Sequence, residues 1–463
     1  MQTDRRLAAA TLEQVLDEPH KAVASSPGVD LATVLKYALA ARDRQRIRDL
    51  VLALLPFWAV LGLLSDPAVM PIMLALLAAG IFIATWAVLI TETLVTYYRV
   101  IFPLLRREAF DPADAPEPRS PHDRARLAEI AASDRGNVVV SASYRPFPGY
   151  GGELETWSVT LNMAKAEEGE SVIPFQVHEL YDHVGDAIGG LGLPGVSVED
   201  RLVVNGRDLL RGLDPQVRRA VLPDPLGTPV LDIDDALMRR LRDDLIGHAR
   251  PYLTVFVAGW NGELVVTIFL RLALLPGRDL LFVEASYLLL PPSRDRYRKV
   301  DGLLGHPTGR QLSNIACESF VRSFLAVPQG LAATLSLLRG PWNGWTKARR
   351  DRRAILFDRT FNYGTEFSVR ERSNDNSYFR YFQKLDQELY VKTVERRIFD
   401  AITDFMERHN IDTSDFSQRQ MTILNNGVFV TGQGRVDAQN IAAGKGSAAG
   451  AAARQNQPQP QAR

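Results

Sequence analysis

The sequence predicts an α+β cytoplasmic domain with mainly antiparallel strands, preceded by a two-helix transmembrane hairpin. Three observations predict it. Two long uncharged runs stand close together before residue 100, and the second is long enough to cross a bilayer, which needs about 20 apolar residues. Six strand-like runs follow without regular alternation with helices, which argues against a doubly wound parallel sheet. An Asn-Gly pair separates the fourth and fifth of these runs, the signature of a tight antiparallel hairpin.

Residues 1–49 read as a cytoplasmic helical N-terminal segment and 50–98 as the hairpin. Its first arm, Leu50 to Ser65, contains Pro56; it either spans with snorkelling flanks or forms a re-entrant half. Asp66 and Pro67 interrupt, and the second arm extends from Ala68 to Ile90. Arg42, Arg44, Arg46 and Arg48 precede the first arm, Arg99, Arg106 and Arg107 follow the second, and the connection has no basic residue. The positive-inside rule then places both termini in the cytoplasm of a multi-pass protein of the bacterial inner membrane. Tyr97 and Tyr98 suit interfacial anchors, Trp58 and Trp86 less so, and no secretory signal is expected ahead of the first arm. Glu92 ends the second arm; a carboxylate there either lines a pore or faces headgroups, and the second role is preferred.

Residues 99–135, rich in Pro and charge around Phe110 to Arg124, read as a linker. Residues 136–300 hold the α+β domain, with strand-like runs at 137–143, 156–162, 200–206, 252–259, 263–274 and 279–290. Helix-like segments at 177–188 and 234–249 lie between them. Residues 301–372 form an amphipathic and basic segment. There an apolar stretch from Phe324 leads to Trp342 and Trp345, then to Lys347, Arg349, Arg350, Arg352 and Arg353. Apolar surface, interfacial Trp and basic charge together suit an anionic membrane face, and a core helix with a solvated basic turn is the alternative.

Residues 373–433 contain a long helix and short strands. Tyr378, Phe382, Leu385 and Leu389, continued by Val394, Ile398, Ala401 and Phe405, predict packing on the α+β domain, with a subunit interface as the alternative. Asn425-Asn426-Gly427 reads as a turn, and 434–463 as a disordered tail.

Composition limits the function. Lys and Arg total 54, as do Asp and Glu, so no bias toward nucleic acid follows. Arg far outnumbers Lys, which suits a GC-rich bacterial genome. Cys317 is the only cysteine, so no intrachain disulfide forms, and a small buried hydrophobe is expected there rather than a nucleophile.

Four motifs carry candidate chemistry. His178-Glu179-Leu180-Tyr181-Asp182-His183 places its histidines five apart, whereas a helical zinc motif needs four. The helical neighbours are instead His178 with Asp182 and Glu179 with His183, read as surface pairs. Gly190, Gly192 and Gly195 satisfy the spacing of a dinucleotide loop, but the helix precedes the strand, so a helix-terminal loop is expected. Asp232, Asp234 and Asp235 could hold Mg²⁺, and capping of a helix is the preferred reading. The fourth motif is the loop with Tyr144, Arg145, Phe147 and Tyr150. It is the ligand-site candidate, binding an anion through Arg145 and backbone N–H groups, or else a turn whose rings cover the sheet. No catalytic residue, metal ligand or cofactor is assigned.

Asn137 to Gly151, "NVVVSASYRPFPGYG", resembles an NVxVYSGYxPFxGxG-like pattern in uncharacterised actinobacterial membrane proteins, departing from it at Ser141 to Ser143. "GELVVTIFLR" and "YFQKLDQELY" look like further shared blocks. The resemblance implies a bacterial origin and a membrane-plus-cytosol plan, with no catalytic residue to carry over. The expected function is therefore a membrane-anchored cytoplasmic binding or signalling protein without evident catalysis. Its expected partners are the lipid bilayer and an unknown protein or small molecule. An oligomeric membrane effector or channel, built as a homo-oligomer, is the alternative, and an enzyme with an unrecognised site the second.

Overall fold

Six runs rich in β-branched and apolar residues pair into one sheet: β1 Val138–Ser141, β2 Gly152–Asn162, β3 Val196–Asn205, β4 Ala249–Gly259, β5 Leu264–Leu274 and β6 Leu280–Leu290. The computed structural model describes residues 1–63, 70–133, 136–244, 247–275, 277, 280–375, 377–417 and 420. The strand order is β1-β3-β4-β5-β6-β2. Only β1–β3 is parallel; the other four pairings are antiparallel. The β4–β5 hairpin turns where expected, with Asn261 and Gly262 at φ 55° and 80°. β5 is buried at every position but its last, so it reads as a nearly continuous apolar run, interrupted by Thr267 and Arg271, rather than an alternation.

The helices are α1 Arg5–Thr11, α2 Leu31–Leu63, α3 Met70–Val95, α4 Phe102–Leu104, α5 Pro121–Ser133, α6 Val177–Gly189, α7 Pro215–Val221, α8 Asp235–Arg242, α9 Asp295–Arg298, α10 Gly309–Arg353, α11 Val369–Ser373 and α12 Tyr381–Arg408. α6 and α12 cover one face of the sheet, where Leu180, Val184, Ile398 and Ile402 meet Val255, Val266, Ile268 and Tyr287. Trp157 of β2 stacks on Phe399 of α12 at 5.1 Å. At the β1–β3 end a second core joins Leu202 and Val204 to α7 and α8. A third core joins α1, α2 and α5, with Leu35 and Ile130 fully buried. Residues 121–133, read from sequence as linker, thus form a helix that buries one side.

α12 departs from expectation in its first half. Val394, Ile398, Ala401 and Phe405 are buried, but Phe382, Leu385 and Leu389 are exposed, and Gln383 and Gln387 take the inner face. The reason is phase. Leu389 to Val394 is a step of five, which rotates the stripe by about 140° on a 3.6-residue helix, so both stripes cannot face the sheet. The inner face there meets the polar β4–β5 turn: Gln383 Nε2 donates to Glu263 at 3.0 Å, and Trp260 Nε1 donates to Asp386 at 2.9 Å.

α10 is one helix of 45 residues, about 68 Å long, where the sequence suggested an apolar stretch and a separate basic turn. Thr308 and Gln311 form a capping box that starts it. Among the described residues, two helical segments are long and apolar enough to cross a membrane, Ala75–Leu104 and Gly309–Leu337. The first contains most of the expected second arm. The second lies in α10, which the sequence reading did not count as a span. The first arm ends among residues outside the described set, as do the Asn425–Gly427 turn and the 434–463 tail. Cys317 is exposed on α10, contrary to the expected burial, because the inward face of α10 is set by other residues, among them Ser319, Ser323 and Ala326.

The two stripes of α12 are separable by mutation. Ile398→Ala is expected to destabilise the fold by about 2–5 kcal/mol. Leu389→Ala is expected to change it by about 0.5 kcal/mol or less. Denaturant titration of the two variants in mild detergent checks both.

Candidate functional site

The Tyr144–Tyr150 loop splits into two halves. Tyr144 and Arg145 are exposed, whereas Phe147 and Tyr150 are buried against the second face of the sheet. Phe147 stacks on Phe269 at 3.9 Å and meets Tyr252 edge-on at 5.4 Å; Tyr150 meets Phe269 edge-on at 5.0 Å. Gly149 and Gly151 have φ of 99° and 97°, and a Cβ on either would lie 2.0 Å from a carbonyl oxygen, of Ser25 and Leu289 respectively. Only glycine permits both the angle and the approach. The N–H groups of these two glycines point at an anion, and that anion belongs to the chain: Glu371 Oε1 of α11 accepts both, at 2.8 and 2.9 Å. Burial pushes the Glu371 carboxyl above its ordinary range, and the two N–H donors and the nearby Arg145 and Arg372 oppose the shift. Sequence reasoning missed Glu371, which lies more than 200 residues from its partners.

A second constellation forms where α2, α3 and α10 meet. Arg48 of α2 donates to both oxygens of Glu92 on α3, at 2.8 and 3.1 Å, and to Asp49 at 2.6 Å. Arg5 of α1 donates to the other oxygen of Asp49 at 2.6 Å. Glu92 therefore does not face headgroups alone, as the sequence reading preferred, but is bound to an arginine of the neighbouring helix. Gly330 packs against Leu52 and the Asp49 carbonyl, and on α3 the Trp86 indole donates to the Ala316 carbonyl at 2.9 Å. Phe82 meets Phe320 and Phe324 at 5.2 and 5.0 Å. These charges line a cavity of about 480 Å³, whose rim carries Glu318 and Arg322, paired at 2.5 Å, and whose wall includes Leu52, Leu89 and Leu325.

The helix junction is inverted relative to a soluble bundle. Asp49 is 5% exposed while its neighbours Ile47 and Leu50 are 62% and 49% exposed. Leu54, Leu76, Ile83, Val321, Phe324 and Leu325 are exposed as well. Charge is turned inward and apolar surface outward, a patch of the kind that marks a membrane or protein contact.

The C-terminal third of α10 carries the predicted membrane-contact residues. Trp342 and Trp345 are exposed with rings 5.9 Å apart, and Arg349 lies 3.8 Å over the Trp345 ring. Trp342, Trp345, Arg349, Arg352 and Leu356 follow one another at helical spacings of three and four, so they share a face. Arg350 is exposed beside them, and Arg353 lies 3.7 Å from Asp358. Lys347 differs: it turns to Glu18, at 2.7 Å, and so pins α10 to the N-terminal core.

The remaining motifs fall on structural positions. His183 lies 2.9 Å from Asp404 of α12, and Asp182 lies 3.7 Å from Arg242. Gly190 caps α6, and Gly192 and Gly195, both at positive φ, turn the chain into β3. Asp234 caps α8 by accepting from the Leu237 N–H at 2.8 Å, and Asp232 accepts from the Asn137 N–H at 3.3 Å. Among the described residues, no three His, Cys, Asp or Glu side chains gather as a metal site.

One family model, that of the AbeC-like domain, matches residues 156–439, more than half of the chain. The chain belongs to the AbeC-like family. The AbeC-like match takes in β3 to β6, α6, α10 and α12, and includes the "GELVVTIFLR" and "YFQKLDQELY" blocks. It begins after the Asn137–Gly151 motif and the α2–α3 pair. No similar protein was found among curated proteins, and none among solved structures.

The loop of this AbeC-like protein can be tested through its own anion. Glu371→Ala strands two N–H groups and is expected to cost about 1–3 kcal/mol. Glu371→Gln keeps an oxygen that accepts both and is expected to stay within about 0.5 kcal/mol. Because the carboxyl is raised in the folded state, its contribution is full below its ordinary value and is lost as pH rises through the raised value. The Gln variant should lack that decline in a melt-versus-pH series. Phe147→Ala is expected to cost about 3–5 kcal/mol, and Arg145→Ala about 0.5 kcal/mol or less, by thermal or denaturant melts.

Proposed function

We propose that this AbeC-like protein is a membrane-anchored binding protein of the bacterial inner membrane. On this reading its sheet domain stands on the cytoplasmic side and recruits a partner or ligand without catalysis. The observation that carries the proposal is the inverted junction. A soluble protein gains nothing from leaving Ile47, Leu50, Leu54 and Ile83 in water while burying Asp49 and Arg48. A bilayer reverses the balance: the apolar faces meet lipid, and the charges meet one another. The exposed face that runs from Trp342 of α10 to Leu356 just beyond it fits an anionic headgroup layer, with indole rings at the interface and Arg349, Arg350, Arg352 and Arg353 above it.

A second reading, an oligomeric effector or channel, draws on the same exposed apolar faces. Glu92 weighs against a carboxylate-lined pore, since Arg48 holds both of its oxygens within one subunit. The exposed Cys317 offers a direct check. Oxidative crosslinking in intact membranes yields a dimer if α10 faces meet between copies, and a monomer on the anchored-monomer reading.

Two outcomes test the main proposal. Alkaline washing is expected to leave the protein in the membrane fraction, and protease added to sealed right-side-out vesicles is expected to spare residues 136–408. Release by alkali, or digestion of that region, contradicts it. Within the junction, Glu92→Ala removes one of the two partners of Arg48 and is expected to cost about 1–3 kcal/mol. Glu318→Ala, at an exposed pair, is expected to cost about 1 kcal/mol or less. Melts in mild detergent compare the two.

A further inference from the structure

We infer that the cavity at the α2–α3–α10 junction binds the headgroup of a zwitterionic phospholipid that carries a primary amine. The inference rests on the membrane reading above and names what that site would hold. Three arginines and three carboxylates line the cavity: Arg5, Arg48 and Arg322 with Asp49, Glu92 and Glu318. Its formal charge is therefore balanced, which suits a ligand carrying both signs better than an anion or a cation alone. Its volume of about 480 Å³ falls within the range of small-molecule sites, about 300–1,000 Å³.

The charges divide into a fixed floor and a movable rim. Arg48 is held by Glu92 and Asp49, and Asp49 is held in turn by Arg5, so the floor is mutually satisfied. Among the described residues, Glu318 and Arg322 on the rim pair with each other, and both side chains are more than 60% exposed. Such a pair opens at little cost. Opened, Arg322 presents a fork to phosphate and Glu318 an acceptor to an ammonium. Arg5, about half exposed, stands on the same cavity as a second phosphate donor. Beyond the charges, Leu52, Leu89, Val321, Leu325 and Ala326 give one wall an apolar surface, and Val321 and Leu325 are exposed at its edge. A polar end joined to an apolar exit matches a headgroup with its acyl chains leaving along α10.

The test uses the full chain, purified in mild detergent and stripped of co-purified lipid. It is titrated with dihexanoyl phosphatidylethanolamine, dihexanoyl phosphatidylglycerol and inorganic phosphate, with the melting temperature as readout. The amine lipid is expected to raise the melting temperature more than the glycerol lipid, and phosphate to do little. Glu318→Gln is expected to weaken the amine lipid at least fivefold without weakening the glycerol lipid, and Arg322→Gln to weaken both. Equal responses to the two lipids, a phosphate response as large as the lipid response, or unchanged amine-lipid affinity in both variants overturns the inference. Alkaline release of the protein from membranes overturns the anchor reading instead, so the two failures are distinguishable.

Discussion

Arg48 is the residue around which the helical half of this protein is arranged. A guanidinium that is largely out of solvent must be paired, and the pairing must satisfy several donors at once. Asp49 supplies one acceptor from the same helix and Glu92 two from the next, so the rotation of α2 against α3 is set by charge rather than by apolar fit. Once those side chains point inward, Ile47, Leu50 and Leu54 must point outward. Asp49 then reaches Arg5, which ties α1 to the junction, and its carbonyl packs against Gly330 of α10. One network therefore fixes the orientation of four helices and the outward face that needs covering.

The sheet half answers to a different constraint, the closeness of backbone to backbone. Gly149, Gly151 and Gly364 each pass within reach of a carbonyl that a Cβ would strike, and Gly206 passes the backbone of Gly364. These contacts bring residues 141–151 against 362–371 and against the N-terminal Ser25. Glu371 completes the join by filling the N–H pair that the loop's glycines expose. The AbeC-like match begins at 156, yet β1 and this loop lie before it and close one edge and one face of the same sheet.

Much of the sheet was legible because its signals are local. Each of the six runs carries its own β propensity, and Asn261-Gly262 declares its turn without help from distant chain. The helices were less legible where the governing contact is remote. Phe382, Leu385 and Leu389 have the spacing of a buried stripe, but a step of five residues changes the phase before Val394, and only the sheet decides which stripe goes in. α10 contains Pro328, Gly330, Pro341 and Gly344, which read as interruptions in isolation. The helix persists because a capping box starts it and two helices and Lys347 hold its length. At the sites, Phe147 and Arg145 look equally suited to a ligand in the sequence. Their fates part only when Phe269 arrives under one and solvent over the other.

Net charge was the least informative number of all, and the structure explains why. Equal totals of acid and base describe both an interior network and a segregated surface. Around Arg48 the opposite charges neutralise one another at 2.6 to 3.1 Å. On the far end of α10, Arg349, Arg350 and Arg352 are exposed beside two indoles, with Leu356 and Phe357 exposed just beyond. The chain thus turns charge toward itself where α1, α2 and α3 meet and turns charge outward at the far end of α10. Because α10 is continuous, whatever engages the outer end bears on the same rigid element that packs against Asp49 and Leu52.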